Sequence, residues 1–501
     1  MHLVGLDVGT TGCKSVVFDA EGRICGHAFA EYGMICDEPS KAEQNAEEVW
    51  ELTRSVIAKA VREAGAREIR GLSVSVQGDA VIPVDRHWKP LYPAILGMDY
   101  RSEPQARRCE ERIGARPLFE RTGMRPLALN SIAKIMWLKE LHPEIYRRAW
   151  KIVTYADFIF GRLGAPPVID WTMASRTMGF DLQKRVWAMD ILEALDVDPG
   201  LLSEPVPSGS VVGTIDPSVA DELGLPRTVQ LVTGGHDQTC AALGAGVTTE
   251  GIAVISTGTA EVLSTALEHA VLSNSMFDCH YPCYLYVKPS MFFTFSLNHV
   301  GGLLLRWYRD NFSGEESREA ACNGEDAYDL MIRKMPPAPT SVMVLPHFIG
   351  SGNPWFDRDS KGAILGLTIS SSRHDIVRSI MESQTYELKL NLEKLAESGI
   401  EIAEMRAVGG GARSRAWLQM KADILDRPVR TLEVREGACL GAAILAGTAL
   451  GVYPSIDEGV TATVRMGETF EPVTAMRDVY RERFEIYRTL YPTLKNLNRS
   501  L

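Results

Sequence analysis

Three glycine-punctuated turns carry the first chemical signal in the chain. Gly9-Thr10-Thr11-Gly12, Gly258-Thr259 and Gly409-Gly410-Gly411-Ala412 each follow a short apolar run of strand character. Glycine lets backbone N–H groups point inward at close range, and threonine hydroxyls add donors, so such turns suit phosphate oxygens. One turn of this kind is ordinary loop chemistry. Three that converge, with Asp7 placed to face a phosphate-bound cation, describe a triphosphate site. None has the G-x-x-x-x-G-K-[ST] spacing, which disfavours a P-loop fold.

The acid–base and hydroxyl-binding candidates lie elsewhere. Asp237, within Gly234-Gly235-His236-Asp237-Gln238, follows the strand-like Val229 to Val232 and precedes a small-residue helix over 239–243, so its carboxylate can face a cleft at a strand end. An Asp before a helix also serves as an N-cap, and the sequence leaves both roles open. Gln77-Gly78-Asp79 closes the apolar run Gly71 to Val76, and Asp99 and Arg101 follow in Ile95-Leu96-Gly97-Met98-Asp99-Tyr100-Arg101. Paired donors and acceptors suit a hydroxyl-rich ligand, while a plain hairpin turn at 77–79 is the competing reading. Cys279 and Cys283 lack a second ligand pair at metal-binding spacing, so buried or half-buried thiols are expected.

These residues need elements to hold them. Leu3 to Asp7 and Lys14 to Phe18 read as a hairpin around the first turn, and Ala46 to Ala64 as a helix with Val49, Leu52, Val56, Ile57, Ala60 and Val61 on one face. Roughly 117–205 is richer in helical pattern and reads as an insertion or cap. At 251–263 the opening order of apolar run, Gly-Thr turn and apolar run returns, which suggests a duplicated module. Met405 to Val408 and 415–425 add a strand and a helix around the third turn. Interleaved strands and helices give an α/β fold, with domains expected at 1–246 and 247–501.

Composition sets the outer limits. A chain of 501 residues with 43 Gly, 26 Pro and 45% hydrophobic residues forms two or three globular domains and is too apolar for disorder. A net charge of −11 leaves no basic surplus for nucleic acid or an anionic membrane surface. Residues 437–456 carry no charge, but their Gly and Ala content fits a close-packed core helix better than a membrane span. Nine cysteines, an odd count, and an N-terminus that enters a strand directly fit a cytoplasmic location.

Longer segments carry a family likeness. GLDVGTTGCKSVVFD at the start, GGHDQTCAALGAG at 234–246, ISTGTAEVL, HVGGLLLRWYRD at 299–310, LPHFIGSGNPWFDRDSKGAILGLT at 345–368 and AVGGGARSRAWLQMKADILDRPV at 407–429 occur in order along nearly the whole chain. Together they resemble the FGGY family of carbohydrate kinases. The resemblance implies two ribonuclease H-like domains of the actin, sugar kinase and Hsp70 type flanking a deep cleft. It implies ATP- and Mg2+-dependent phosphoryl transfer to a hydroxyl of a small sugar or polyol, foremost a ketopentose such as xylulose. On the matching motifs, Asp237 is the general base and Gln77, Gly78, Asp79 and Asp99 are sugar contacts, with His236 either a further sugar contact or a support for the loop. Thr10 and Thr11 would meet the β- and γ-phosphates, Gly258 and Thr259 the transferring group. Gly302, Gly410, Gly411 and Ala412 would lie along the α-phosphate, ribose and adenine, with Ser414 and Gln419 around the base and Asp7 facing Mg2+.

Two departures bear on the sugar. Xylulokinase-like members carry a Met-His pair, and glycerol kinase-like members an Arg-Glu pair, where this chain has Gly78-Asp79. The Gln-Gly-Asp form looks more like the branch acting on L-xylulose or erythritol-type polyols. A Trp common just before the second Asp is replaced by Gly97-Met98. Rival readings are kinases of erythritol, glycerol or a deoxyketose, an actin- or chaperone-like ATPase, and a sugar-sensing regulator. A regulator would want a helix-turn-helix domain ahead of the hairpin that begins at Leu3. Domain closure on sugar binding is expected in order to exclude water, and a homodimer is the default expectation.

Overall fold

In the computed structural model, which describes residues 1–66, 68–433 and 436–501, the N-terminal hairpin pairs His2–Val8 with Gly12–Asp19 and sets Asp7 opposite Lys14. Ile24–Glu31 extends the sheet antiparallel. The chain then crosses on the helix Ala46–Ala64, started by the Asn45 side chain accepting the Glu47 and Glu48 N–H groups and ended at Gly65 in the left-handed region. It returns as Ile69–Val76, parallel to His2–Val8. After a long insertion, Gln230–His236 pairs parallel on the other side of Ile69–Val76. Val211–Thr214 completes six strands.

The second half repeats this plan. Ile252–Thr257, Glu261–Leu267 and Phe292–Asn298 form the antiparallel part, and Glu404–Val408 and Val429–Leu432 add the parallel strands. With Tyr284–Leu285 and Met466–Phe470 at its edges, the sheet has seven strands. The duplicated module read from two Gly-Thr turns is therefore a real repeat of topology, and each turn joins the first two strands of its sheet.

The uncharged stretch at 437–456 is a core element. Its helix, Gly437–Ala449, is 13 residues long, and no helix among the described residues is long and apolar enough to cross a membrane. It packs against the first sheet and against the helix Asp237–Gly244. Small residues permit backbone contact: a Cβ at Gly441 would lie 2.0 Å from the Cys240 carbonyl oxygen, and one at Gly5 1.9 Å from that of Cys439. An element of the second half thus covers the first sheet, and packing crosses the sequence boundary expected at 246 and 247. The insertion carries the helices Ala115–Thr122, Ser131–Leu141, Pro143–Arg148, Tyr155–Arg162 and Trp171–Arg176. Much of it has its own core, built on Leu118, Ile132, Met136 and Leu192.

Candidate active site

Three neighbouring parallel strands of the first sheet end in register, with Val8 opposite Val76 and Val76 opposite His236. Asp7, Gln77-Gly78-Asp79 and Asp237 therefore gather at one edge, the carboxyl ends of the strands, where open α/β sheets bind ligands. Asp237 is the first residue of the helix Asp237–Gly244, and His236 holds the cap position. Of the two roles open in sequence, capping by Asp237 is the weaker: its Oδ1 accepts only the adjacent Gln238 N–H, at 2.6 Å.

The surroundings of Asp237 suit proton transfer. Burial, reinforced by the charge of Asp7, pushes its pKa up to about 7, and Arg176 pulls the other way. About 31% of its side chain is still exposed, so substrate can reach it. His236 Nε2 lies 3.1 Å from Asp237 Oδ1, and Nδ1 is 3.0 Å from the Tyr284 hydroxyl. Burial and Arg176 hold His236 well below the usual histidine range, so the ring is neutral at physiological pH.

Desolvation raises the pKa of the half-buried Asp7, while the Ser75 hydroxyl donating to Oδ1 at 2.7 Å and the charge of Lys14 oppose the rise. A half-buried carboxylate of this kind fits a hard divalent cation. No cluster of three or more His, Cys, Asp or Glu gathers among the described residues. Mg2+ is commonly held by one or two carboxylates, substrate phosphates and water. Lys14 in turn bonds Glu436 Oε2 at 2.5 Å, tying the first hairpin to the start of the helix Gly437–Ala449.

The segment 77–79 is more than a turn. The Gln77 amide donates to the Gly9 carbonyl at 3.1 Å and to Gln44 Oε1 at 3.0 Å. Gln44 also donates to the Thr10 carbonyl, and Tyr32 N–H donates to that of Thr11, so the sugar-side segment braces the first Gly-Thr turn. Gly78 is crowded: a Cβ there would meet His236 Nε2 at 2.8 Å and Arg176 Nε at 2.9 Å. Asp79 ion-pairs with Arg176, both buried.

Asp99 is held by the protein itself. It is fully buried, its carboxylate accepts the Arg101 guanidinium on both oxygens, and Oδ2 also accepts the Ala42 N–H at 2.7 Å. Arg101 continues to Glu43 Oε1 at 2.7 Å. Both carboxylate oxygens of Asp99 are thus engaged by the protein. Gly97, in place of the aromatic, packs against the backbone of Gly78, where a Cβ would lie 2.9 Å from its carbonyl oxygen.

The other lobe supplies backbone. Ser256 stands opposite Val408 in the parallel pair, so the turns at 258–259 and 409–412 leave the second sheet side by side. Gly302 N–H donates to the Gly258 carbonyl at 2.7 Å, bringing the start of the helix Gly302–Phe312 against the same turn. Gly258, Gly302, Gly410, Gly411 and Ser414 line one cavity of about 510 Å³, walled by Tyr328 and Trp417. Ser414 also caps the helix Arg415–Leu425. Gly409 has φ of 82°, and a Cβ on Gly411 would lie 2.6 Å from that of Thr257. Thr259 and Thr11 are exposed and Thr10 half-buried. Ala412 lines an adjoining cavity with Gly409, Gly410 and Glu436. Because Glu436 also bonds Lys14, beside Asp7 across the hairpin, both lobes meet at this point. Gln419, expected near the base, instead donates to Asp423 and to the Glu471 carbonyl.

Models of the N-terminal and C-terminal domains of FGGY carbohydrate kinases match residues 2–244 and 253–450. The chain belongs to the FGGY family of carbohydrate kinases. It is a phosphotransferase with an alcohol acceptor. Among curated FGGY relatives, the xylulose kinase of Bacillus subtilis (strain 168) is 27% identical over 502 residues, covering 100% of this chain and 98% of that one. The gluconokinase of the same organism is 29% identical over 506 residues, covering 100% and 96%. Among solved structures, a xylulose kinase from Rhodospirillum rubrum superposes with a TM-score of 0.90 at 24% identity, covering 99% and 100%. These structural likenesses carry the two-domain, actin-type fold.

Sequence reading missed the FGGY insertion's part in the site. Asp170 caps the helix Trp171–Arg176, and Thr172 Oγ1 donates to it at 2.5 Å and accepts the His236 N–H at 2.8 Å. This relay fixes the backbone just before Asp237. The Asp-x-Thr start of a helix was the available signal. Arg176, Tyr284, Tyr328 and Trp417 had none in the local pattern, because only the tertiary fold brings them to the site. Cys279 and Cys283 are buried free thiols.

Proposed function

We propose that this kinase transfers the γ-phosphoryl group of ATP to a hydroxyl of a small neutral ketose or polyol, foremost a ketopentose such as xylulose. The carrying observation is the pairing of unlike edges: a carboxylate with pKa about 7 at the strand ends of one sheet, and glycine-lined turns at the strand ends of the other. In this reading Asp237 receives the proton of the attacking hydroxyl, and Gln77 and Asp79 orient the sugar. Backbone N–H groups around Thr10-Thr11, Gly258-Thr259 and Gly410-Gly411 take the phosphate charge, with Ser414, Tyr328 and Trp417 around the nucleoside. Bound Mg2+, faced by Asp7, would neutralise phosphate charge. The protein works as a cytoplasmic enzyme, with a homodimer as its default assembly.

A sugar acid is the second reading, favoured by the gluconokinase relative at 29% identity. ADP release over a panel of D- and L-xylulose, erythritol, glycerol, gluconate and deoxyketoses tests both. Pentulose-dependent turnover is expected; ADP release indifferent to every sugar would leave an ATPase and end the proposal.

A further inference from the structure

This inference rests on the sugar-kinase reading and concerns what holds His236, the neighbour of the proposed base, in one form. The ring of His236 touches groups from both halves of the chain. Its Nε2 lies 3.1 Å from Asp237 Oδ1 in the first half, and its Nδ1 lies 3.0 Å from the Tyr284 hydroxyl, carried by the edge strand Tyr284–Leu285 of the second sheet. Both residues are buried, Tyr284 at 0% exposure and His236 at 4%. The backbone of His236 is fixed independently: its N–H donates to Thr172 Oγ1 at 2.8 Å, and its carbonyl accepts the Thr239 hydroxyl at 2.7 Å. What is left to settle is the ring, in its tilt and in which nitrogen carries the hydrogen.

Electrostatics decides the hydrogen. A neutral imidazole has one N–H and one bare nitrogen, and burial together with the charge of Arg176 keeps this ring neutral. A bare Nε2 would turn its lone pair toward the charged Asp237 carboxylate, whereas a hydrogen there meets the negative oxygen favourably. With the hydrogen on Nε2, Nδ1 is an acceptor, and the Tyr284 O–H donates to it. That donor is firmly placed. Tyr284 stands opposite Phe293 in the sheet, its ring meets Phe293 and Phe295 edge-on at 5.6 and 6.2 Å, and the Arg176 guanidinium covers it at 5.2 Å. The preceding residue, Cys283, donates its N–H to the Gly123 carbonyl of the insertion at 3.0 Å. The phenol is therefore anchored to both halves before its hydroxyl reaches the ring.

We propose that Tyr284 is a positioning residue for the base: its hydroxyl donates to Nδ1 of His236 and keeps the hydrogen on Nε2, where it faces the Asp237 carboxylate that takes the acceptor's proton. A neutral N–H beside the carboxylate steadies its charged form without adding a competing cation. The group that orders the base is thus supplied by the second half of the chain. The base is complete only while the edge strand Tyr284–Leu285 is docked on the first lobe.

Nitrogen NMR of the full chain, isotope-labelled at histidine, reads the ring directly, and His236→Gln identifies its signals. The wild type should show a protonated Nε2 and a bare Nδ1 at physiological pH. Tyr284→Phe, which keeps the aromatic packing and removes only the hydroxyl, should move the Nδ1 resonance. In the ADP-release assay with the best acceptor of the panel, Tyr284→Phe should lower kcat about tenfold, the low end for losing a partner that orients a working histidine. The ATP KM should change less than about threefold. The amide introduced by His236→Gln offers an N–H in the place of Nε2 and has no tautomer to be chosen, so adding Tyr284→Phe to it should change kcat less than about twofold. Thermal unfolding checks that each variant folds. The inference is overturned if the wild-type hydrogen sits on Nδ1, or if Tyr284→Phe keeps wild-type kcat. It is overturned equally if Tyr284→Phe costs as much on top of His236→Gln as it does alone, the outcome for a hydroxyl that serves only the fold. A wild type that releases ADP without regard to sugar would instead overturn the kinase reading, while the nitrogen spectrum still decides the form of the ring.

Discussion

The two edges that face the cleft are built from different material. The first sheet presents side chains, Asp7, Gln77, Asp79 and Asp237, held by buried hydrogen bonds and opposed charges. The second presents turns at 258–259 and 409–412 whose useful groups are backbone amides, kept open by glycine. Side-chain sites change specificity with one substitution; backbone sites tolerate little change at all. The sharpest break in the comparison is Asp237→Asn, which removes the proposed proton carrier of the acceptor side. Turnover should fall about 10²–10⁴-fold in the ADP-release assay, with the ATP KM changed less than about threefold. Near-wild-type turnover would remove Asp237 from the chemistry.

A structural counterpart lies under the second edge. Lys421 and Glu261 form an ion pair buried at 1% and 0% exposure, and Glu261 Oε1 also accepts the Thr257 hydroxyl at 2.7 Å. The pair anchors the strand end that launches the Gly258 turn. Lys421→Met leaves the carboxylate buried without its cation, which costs about 3–5 kcal/mol. Urea unfolding should show that loss, and Lys421→Met with Glu261→Leu should recover most of it. Equal destabilisation in both variants would mean the pair's charges are not what matters.

Next in size is the backbone edge itself. Gly411→Ala would place its Cβ 2.6 Å from the Thr257 Cβ. The loop must shift, and we expect the ATP KM to rise about tenfold, the order that a small misplacement of a binding group produces. Sugar affinity, measured by calorimetry without nucleotide, should stay unchanged. If the sugar side weakens equally, the two edges are not separable as described.

Legibility in sequence follows the same division. The turns, the hairpin at 2–19 and the helices at 46–64 and 415–425 were readable because glycine, apolar period and caps act locally. Asp237 was readable as a candidate base for the same reason, since a strand followed by a small-residue helix places one residue at the strand end. Asp99 was legible as a polar residue in a binding-like segment, and its bond to Arg101 two residues on is local, but the Ala42 N–H that it accepts is brought to it only by the fold. Arg176 was invisible: it follows Gln77 by nearly a hundred residues and reaches Asp79 only through the folded insertion. Helix Gly437–Ala449 shows the same limit, for its small residues announce close packing without saying that the partner is the other lobe's sheet.

The last expected effects concern pH, and they separate the proposed base from its scaffold. With Asp237 held at about 7 by burial and Asp7, kcat/KM for the sugar should climb to a plateau through an ascending limb near pH 7, where an ordinary carboxylate would give one near 4. The same shift has a thermodynamic sign. A carboxyl whose folded pKa lies above its unfolded value binds its proton more tightly when folded, so its contribution to stability is fully present at low pH. That contribution is lost as pH rises from about 4 to about 7. Asp237→Asn carries no such charge, so its melting temperature should exceed that of the wild type at pH 8, with the gap closing as pH falls toward 4. A gap independent of pH would mean that Asp237 titrates as an ordinary exposed carboxylate, and the tuned character of the first edge would be lost with it.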